Sequence, residues 1–275
     1  MRLLALTLAL LVTAAWSQEP KSDGEGPPPP DEAVVIRVYD GDTVTIATGD
    51  PVRLRWVNTP ELRPMEAFAE EARDLAASFV AGKLVQLSYG DPQRDGYGRL
   101  IADVVINGVS LEEKLLEAGF AHIMLIPPVE DGLEHLFEAQ ARAREAGLGI
   151  WGHERYQGAL HITSFHANGR GNDRADPNSE YLRICNITDE PVSVGGYSIT
   201  NIRRQSYSWP DLVIPAGHTV QVHSGKGEHQ TDPTAQLKIF LGSDSPLWNN
   251  TRDLATIFDG TGKQVDRRLH EVKGR

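Results

Sequence analysis

The sequence predicts a mainly β protein with some α-helix, arranged as an OB-type five-stranded barrel with helices followed by a β-sandwich. From residue 33 to 152, short runs rich in Val, Ile, Arg and Thr lie between turn residues, and other stretches place apolar residues at helical spacing. From residue 160 to 270, short alternating strands follow one another between Gly, Pro, Asn and Asp turns. A chain of 275 residues is long enough for two domains with separate cores.

The first domain, residues 33–152, has the element order of a small barrel. Strands are predicted at 34–39, 43–48, 52–57, 84–89 and 100–106, and helices at 67–81, from Ser110 through 118, and at 132–146. Ser110, with Glu113 three residues later, forms a capping box at the start of the second helix. Gly147 suits the position just after the third helix. Five strands with interleaved helices fit a barrel of the OB type.

The second domain, residues 160–270, has the alternation typical of strands with one buried face. Strands are predicted at 181–188, 194–199 and 220–225. The single cysteine, Cys185, cannot form an intramolecular disulfide, and its strand-like surroundings predict a small buried hydrophobic residue. The fold therefore does not depend on a disulfide.

The N-terminal residues predict export. Met1-Arg2 gives a positive start, residues 3–12 are apolar, and Ala15 and Ser17 are small residues suited to cleavage before Gln18. The apolar run is shorter than the roughly 20 residues that a membrane span requires. We therefore predict a signal peptide at residues 1–17, a Pro/Gly-rich linker at 18–32, and a secreted or periplasmic mature protein without an integral membrane span.

The charge of the chain is acidic, which is unusual for a protein that binds nucleic acid. The formal net charge is -11. Residues 33–152 carry 11 Lys and Arg against 19 Asp and Glu, whereas residues 159–275 carry 13 of each. Any phosphate contact in the first domain must therefore rely on locally placed arginines rather than on long-range attraction.

Three short segments carry the chemistry of the first domain. They are residues 40–43 (Asp-Gly-Asp-Thr), 53–61 (Arg-Leu-Arg-Trp-Val-Asn-Thr-Pro-Glu) and 94–99 (Arg-Asp-Gly-Tyr-Gly-Arg). Together they supply hard oxygen ligands, arginines and an acidic base, which suits metal-assisted hydrolysis of a phosphodiester. An isolated Asp-Gly-Asp is often only a hairpin turn, so the two later segments decide the interpretation. The set resembles the thermonuclease (staphylococcal nuclease-like) family from about residue 33 to 151.

The resemblance implies a bound calcium ion. It places Asp42, Asn58 and the backbone carbonyl of Thr59 as ligands, with Asp40 orienting water around the ion. The family usually has aspartate where this chain has Asn58. Asparagine keeps a carbonyl oxygen but removes one negative charge, so calcium affinity is expected to fall. The alternative is a site that no longer holds metal.

The resemblance also implies the catalytic groups. Glu61 is expected to act as a general base or to orient water, Arg53 to clamp the phosphate, and Arg99 to stabilise the pentacoordinate phosphorus and the leaving oxygen. Tyr97 is expected to donate a hydrogen bond to the terminal phosphate of the substrate, and Arg55 is interpreted as structural. The implied substrates are DNA and RNA, single-stranded or frayed. The bond to the 5′-oxygen would break and leave 3′-phosphate ends.

One feature of the family is absent from the sequence. Where relatives often carry aromatic residues that stack on a base, residues 123–128 read Ile-Met-Leu-Ile-Pro-Pro. Stacking contributes about 1–3 kcal/mol per base. Weak and sequence-tolerant binding is therefore expected.

The second domain resembles the lamin tail domain, an immunoglobulin-like sandwich, over about residues 160–270. The runs at 247–250 and 253–259 add to this resemblance. It implies a binding or targeting module for a cell-envelope or DNA target. Arg203 and Arg204 with Tyr207 and Trp209 could form a basic, aromatic patch, although a turn around a core tryptophan is the simpler interpretation.

Two functions remain in competition. The first is an exported, calcium-dependent nuclease that hydrolyses DNA and RNA. The second is a non-catalytic protein that binds nucleic acid or envelope components and whose metal site is degraded at Asn58. A structural envelope protein is a third possibility, but it leaves the arginines without a purpose. Retention of Arg53, Glu61 and Arg99 favours the nuclease, because a protein that only binds does not need all three.

Overall fold

The computed structural model describes residues 28–169 and 174–272. The predicted signal peptide, residues 1–17, and most of the predicted linker, residues 18–32, lie outside these ranges. Within the described residues, none of the helices combines the length and the apolar character needed to cross a bilayer. Asp31–Arg275 belong to one compact unit that includes both predicted domains.

The described part of the first domain contains eight strands and three helices. The strands are β1 (Glu32–Val38), β2 (Thr43–Ile46), β3 (Pro51–Leu54), β4 (Val57–Asn58), β5 (Leu84–Arg94), β6 (Leu100–Ile106), β7 (Val109–Ser110) and β8 (His122–Ile123). The helices are α1 (Ala69–Val80), α2 (Leu111–Glu117) and α3 (Glu134–Glu145).

Five of these strands close into a barrel. In the order β3-β2-β1-β5-β6, neighbouring strands are antiparallel, and a parallel pairing of β3 with β6 joins the two ends. Alternate side chains point inward, as barrel closure requires. The interior is filled by buried apolar residues that include Val35, Val44, Val52, Leu54, Leu100 and Val104. The predicted OB-type barrel is confirmed.

Local signals in the sequence set several element boundaries. The hydroxyl oxygen of Ser110 accepts the N–H of Glu113 at 3.0 Å, so the predicted cap begins α2. Asn107 and Gly108 both have positive φ, which makes the tight turn between β6 and β7. Gly147 has a left-handed φ of 63° just beyond α3, as predicted for the residue that follows a helix.

The second domain is a sandwich of two four-stranded sheets. Its strands are β9 (Leu160–His166), β10 (Tyr181–Asn186), β11 (Val192–Ser193), β12 (Ser198–Thr200), β13 (Ser206–Ser208), β14 (Val213–Ile214), β15 (Thr219–His223), β16 (Leu237–Phe240), β17 (Arg252–Phe258) and β18 (Gln264–Glu271). The sheets have the orders β16-β15-β10-β9 and β13-β12-β17-β18. They share one apolar core, to which Leu182, Ile184, Val220, Ile199, Ala255 and Ile257 contribute. The immunoglobulin-like sandwich is confirmed.

Most predicted strands end within one or two residues of the observed limits, but three differ more. The run 52–57 is not one strand: β3 ends at Leu54, and β4 pairs with β8 instead. The bend comes at Arg55, which lies over the ring of Trp56 and forms an ion pair with Asp103 of the neighbouring strand β6. The run 194–199 is interrupted because Gly196 has a φ of 78°. β5 continues to Arg94, beyond the predicted end at residue 89.

Backbone hydrogen bonds join the barrel to the sandwich. The N–H of Leu125 donates to the carbonyl of Gly217 at 2.8 Å, and the N–H of Thr219 donates to the carbonyl of Leu125 at 3.2 Å. Cys185 is fully buried at this junction, as predicted, with its sulfur 3.3 Å from the carbonyl oxygen of Ile123. The barrel therefore covers the outer face of β10 at Cys185.

Candidate active site

A cleft of about 1080 Å³ collects most of the predicted site residues. Asp40, Asp42, Arg53, Asn58, Glu61, Tyr97 and Arg99 all line it. Thr59 is buried beside them, and its N–H donates to the Oδ2 atom of Asp42 at 2.8 Å. The fold thus brings the three predicted segments to one place.

The turn between β1 and β2 presents two carboxylates to the cleft. The N–H of Asp42 donates to Oδ1 of Asp40 at 3.3 Å, which holds the turn closed. Gly41 lies between them, where a Cβ atom would be 2.6 Å from the Thr59 side chain and 2.8 Å from that of Ala72. Only glycine lets this turn approach the segment that carries Asn58 and Thr59 so closely.

Arg53 connects the predicted ligands. Its Nη1 atom donates to the carbonyl oxygens of Leu54 and Val57, each at 2.8 Å. Its Nη2 atom lies 3.1 Å from Oδ2 of Asp42 and 3.3 Å from Oδ1 of Asn58. Because the side chain is only 11% exposed and is held by backbone carbonyls, the guanidinium is fixed in the cleft wall before any substrate binds.

Glu61 is held through Glu66. The N–H of Glu61 donates to Oε2 of Glu66 at 2.9 Å, and the N–H of Glu66 donates back to the carbonyl of Glu61 at 2.8 Å. Glu66 in turn pairs with Arg155 at 2.8 Å and lies 3.5 Å from Arg268, a residue of β18 in the sandwich. The segment that positions Glu61 is therefore braced by the second domain.

Arg99 lies at the end of a tight turn organised by Asp95. One oxygen of Asp95 accepts the backbone N–H groups of Tyr97 and Arg99, and the other accepts the Nε–H of Arg99 at 2.8 Å. Gly98 has a left-handed φ of 82° in this turn. The guanidinium of Arg99 lies 5.6 Å from the centre of the Tyr97 ring. The side chain of Arg99 is more exposed than that of Arg53.

The carboxylates of the cleft repel one another. Burial raises the pKa of Asp40 to about 7, and the neighbouring Asp42 and Glu61 add to the rise. Burial, followed by Asp42, also raises the pKa of Glu61. A cation bound between these groups would relieve the repulsion.

The donor chemistry fits a hard cation such as calcium, which is bound by carboxylate, amide and backbone carbonyl oxygens. The Nδ2 group of Asn58 donates to the carbonyl of Thr59 at 3.2 Å, so these two predicted donors are adjacent. In the part of the chain that the structure describes, no group of three or more His, Cys, Asp or Glu side chains is placed to hold a metal. Asn58 contributes an amide oxygen, and not a carboxylate, to the predicted ligand set.

Comparison with known proteins identifies both domains. The sequence profile of the staphylococcal nuclease homologues matches residues 51–153, and that of the lamin tail domain matches residues 153–270. A thermonuclease of Staphylococcus hyicus is 31% identical over 124 residues, which are 42% of this chain and 73% of that protein. The chain belongs to the staphylococcal nuclease family.

Other nucleases of the family show the same degree of similarity. The thermonuclease of Staphylococcus intermedius is 30% identical over 125 residues, covering 43% of this chain and 74% of that protein. The SPbeta prophage-derived endonuclease YokF of Bacillus subtilis (strain 168) is 30% identical over 135 residues, covering 46% of this chain and 45% of that protein. These matches support a nuclease. In this chain the lamin tail domain follows the region that the nucleases match.

The sequence did not reveal that the sandwich forms part of the cleft. Thr163, Ser164, His166, Tyr181 and Arg183, from β9 and β10, line it opposite the barrel residues. Nothing in their spacing distinguishes them from ordinary surface positions of strands. The predicted patch around Trp209 is not such a surface, because Trp209 is only 5% exposed and packs in the sandwich core.

Proposed function

We propose that the protein is an exported, calcium-dependent nuclease that hydrolyses phosphodiester bonds of DNA and RNA. The observation that carries this proposal is the meeting of Arg53, Glu61 and Arg99 in one cleft beside Asp42 and Asn58. A protein that only binds nucleic acid has no use for a carboxylate of raised pKa beside two arginines.

The residues of the chain divide the reaction between them. Glu61 accepts a proton from a water molecule as the water oxygen forms its bond to phosphorus. Arg53 and Arg99 contact the phosphate oxygens, where negative charge grows in the transition state. The bond from phosphorus to the 5′-oxygen then breaks, the leaving oxygen takes a proton from solvent, and a 3′-phosphate remains.

Asp42, Asn58 and the carbonyl of Thr59 would hold the calcium ion, and Asp40 would orient its waters. When bound, calcium supplies positive charge to a phosphate oxygen. The site contains two carboxylates, Asp42 as a ligand and Asp40 beside it, where an aspartate at position 58 would make three. The lower charge favours weak binding, in the range of sites that work at millimolar calcium. An exported protein meets such concentrations outside the cell.

The deciding experiment is cleavage of single-stranded DNA and RNA by the mature protein across a calcium titration from micromolar to tens of millimolar, with EDTA as control. Activity that rises only toward millimolar calcium would support both the nuclease and the weakened site. A folded protein that cleaves neither substrate at any calcium concentration would favour the non-catalytic binding protein. Mass determination of protein recovered outside the cytoplasm tests export, with Gln18 as the expected first residue.

A further inference from the structure

We propose that the sandwich binds the substrate strand itself, through the outer face of the sheet formed by β9, β10, β15 and β16, where that face borders the nuclease cleft. The ligand is single-stranded nucleic acid, held by ring stacking and by one guanidinium from the sandwich. This inference rests on the proposed function for the identity of the ligand, and it assigns a partner to the second domain.

The face begins where the barrel covers β10 and continues into the cleft. Cys185 lies under the barrel, and its cross-strand neighbour Thr219 donates to the backbone of Leu125. Tyr181, Arg183 and Cys185 alternate along β10 and therefore share one face of the sheet. Tyr181 and Arg183 both line the cleft. Because backbone hydrogen bonds fix the junction, this sheet face is a fixed wall of the nuclease site.

A row of rings crosses the face at the level of Tyr181. In the strand pairing, His166, Tyr181, His223 and Phe240 are successive neighbours on β9, β10, β15 and β16. The rings of His166 and Tyr181 are stacked with centres 4.3 Å apart, and those of His223 and Phe240 with centres 5.1 Å apart. Aromatic rings at the edge of a positively charged groove are the usual means of binding single strands without sequence preference.

A polar row without acidic residues lies next to the rings. Ser164, Arg183, Gln221 and Lys238 are the corresponding neighbours on the four strands. Arg183 donates to the amide oxygen of Gln236 at 2.6 Å and to the hydroxyl of Thr219 at 3.3 Å. The guanidinium is therefore positioned by neutral partners, so that its charge is not neutralised by them.

Arg183 differs in this respect from the other arginines of the cleft. Arg53, Arg55, Arg94 and Arg99 each form an ion pair with a carboxylate of the barrel. Among the described residues, Arg183 has no carboxylate within ion-pair distance. Burial lowers the pKa of Arg183, and Arg53, on the opposite wall of the same cleft, is a second cation. A phosphate between the walls would satisfy both cations.

The barrel wall of the cleft lacks the stacking aromatic residues that the family resemblance leads one to expect. The residues of the barrel at the position of the missing stacking aromatics are Met124, Ile126, Pro127 and Pro128, and they line the cleft. The rings of His166 and Tyr181 stand in the same cleft. The sandwich thus supplies the aromatic surface that the barrel of this chain lacks.

Affinity is measured by fluorescence anisotropy with the full mature protein and a labelled single strand of about 12 nucleotides, as DNA and as RNA, in EDTA. Tyr181→Ala is expected to weaken binding about tenfold with an unchanged salt dependence, and Tyr181→Phe to bind as wild type. Arg183→Gln is expected to weaken binding and to reduce the slope of log affinity against log salt by about 0.7, with Arg183→Lys restoring the slope.

Arg252→Gln is the matched control, because Arg252 lies on β17 of the other sheet and its side chain is 57% exposed. It should change neither affinity nor slope. Thermal unfolding of each variant checks that the fold is intact, and His166→Ala replaces Tyr181→Ala if the latter is destabilised. Wild-type affinity in both Arg183→Gln and the ring variant would overturn the inference.

Cleavage assays separate this inference from the proposed function. If the nuclease is active, Tyr181→Ala and Arg183→Gln should raise KM for the 12-mer by a larger factor than KM for a dinucleotide, because the dinucleotide is too short to cover the sandwich face. Active enzyme with equal KM for wild type and variants contradicts the sandwich surface and keeps the nuclease. An inactive wild type whose affinity still depends on Tyr181 and Arg183 contradicts the nuclease and keeps the binding surface.

Discussion

The two walls of the cleft are built from different chemistry. On the barrel wall, each arginine is held by a carboxylate, as Arg53 is by Asp42 and Arg99 by Asp95. On the sandwich wall, Arg183 is held by neutral groups and stands beside stacked rings. The barrel wall is dense in fixed charge, whereas the sandwich wall offers contact area and one cation that is not neutralised.

The difference separates what a reaction requires from what binding requires. Transition-state stabilisation depends on charges whose positions are fixed in advance, and paired arginines are fixed by their partners. Holding a flexible strand requires stacking surface and an available cation, and a carboxylate nearby would repel the phosphates. The acidic barrel and the neutral sandwich can therefore share one substrate without sharing one task.

The largest effect is expected from the barrel wall. Glu61→Gln should lower kcat by about 10²–10⁴-fold, because an amide cannot accept the proton of the attacking water. Affinity for a single strand in EDTA should stay near the wild-type value, since binding is assigned to the opposite wall. Steady-state kinetics and anisotropy on the same preparation measure both. Glu70→Gln, an exposed carboxylate at the start of α1, is the control. A variant with near-normal kcat would remove Glu61 from the mechanism.

The second largest effect is expected at the brace, the ion pairs of Glu66 with Arg155 and Arg268 that connect the two walls. Burial raises the pKa of Glu66, but Arg268 and Arg155 outweigh that rise and bring it below the ordinary value of 4.5. Glu66→Gln leaves Arg268 without its carboxylate partner and Arg155 with Asp266 alone, and should lower the free energy of unfolding by about 3–5 kcal/mol at pH 7. Urea unfolding measures this.

The sign of the pH dependence follows from the lowered pKa of Glu66. Its contribution is complete above the ordinary carboxyl value and is lost as the pH falls through the folded value. The gap between wild type and Glu66→Gln should therefore narrow once the pH falls below the ordinary carboxyl value of 4.5 and continue to close as the pH falls further. Glu138→Gln, which removes an exposed pair with Arg142, should change stability by at most about 1 kcal/mol at any pH. An equal effect of the two variants would mean that the brace is not a stabilising contact.

A smaller effect sharpens the description of the barrel wall. Asn58→Asp adds a carboxylate next to Asp42 and should lower the calcium concentration for half-maximal activity about tenfold, because affinity follows ligand charge. A calcium titration of cleavage measures the concentration for half-maximal activity. Calcium-dependent quenching of tryptophan fluorescence, or calorimetry, measures calcium binding directly. Affinity for a single strand in EDTA should fall slightly or not at all. An unchanged calcium dependence would show that residue 58 does not ligate the ion.

The smallest effect asks whether the two domains unfold together. Ser110→Ala removes the cap of α2 and should lower stability by about 1 kcal/mol. If barrel and sandwich form one cooperative unit, calorimetry should show a single transition that moves to lower temperature. If a second transition stays at the wild-type temperature, the sandwich unfolds independently and the fixed wall is not enforced by the fold. Ser78→Ala, at an exposed position of α1, is a control without a capping role.

Much of the barrel could be predicted from the sequence because its signals are local. Ser110 with Glu113, the Asn107-Gly108 turn and Gly147 each act within a few residues of one another. The candidate site residues could be proposed because three short segments carry them, and the structure brings these segments to one cleft. The break at Arg55 could not be predicted, since it depends on Asp103 in a strand that is distant in sequence.

The sandwich wall could not be predicted from the sequence either, because it too depends on contacts between residues that are distant in sequence. His166 and Tyr181 read as ordinary alternating strand residues, and only the docking of the barrel over Cys185 turns their face toward Arg53. Glu66 likewise reads as one more surface acid of the first domain. Its role depends on Arg268, about two hundred residues later, which no periodicity connects to it.

The hydrogen bonds at Leu125 bear on how this protein can be dissected and recombined. A shortened version that ends after the 3₁₀ turn at Gly149–Gly152 would leave the amide and carbonyl of Leu125 to water and would remove Arg268 from Glu66. The two family profiles meet at residue 153, but the protein cannot be truncated there without breaking these contacts. Grafting this sandwich onto another nuclease would require transplanting both sides of the junction together.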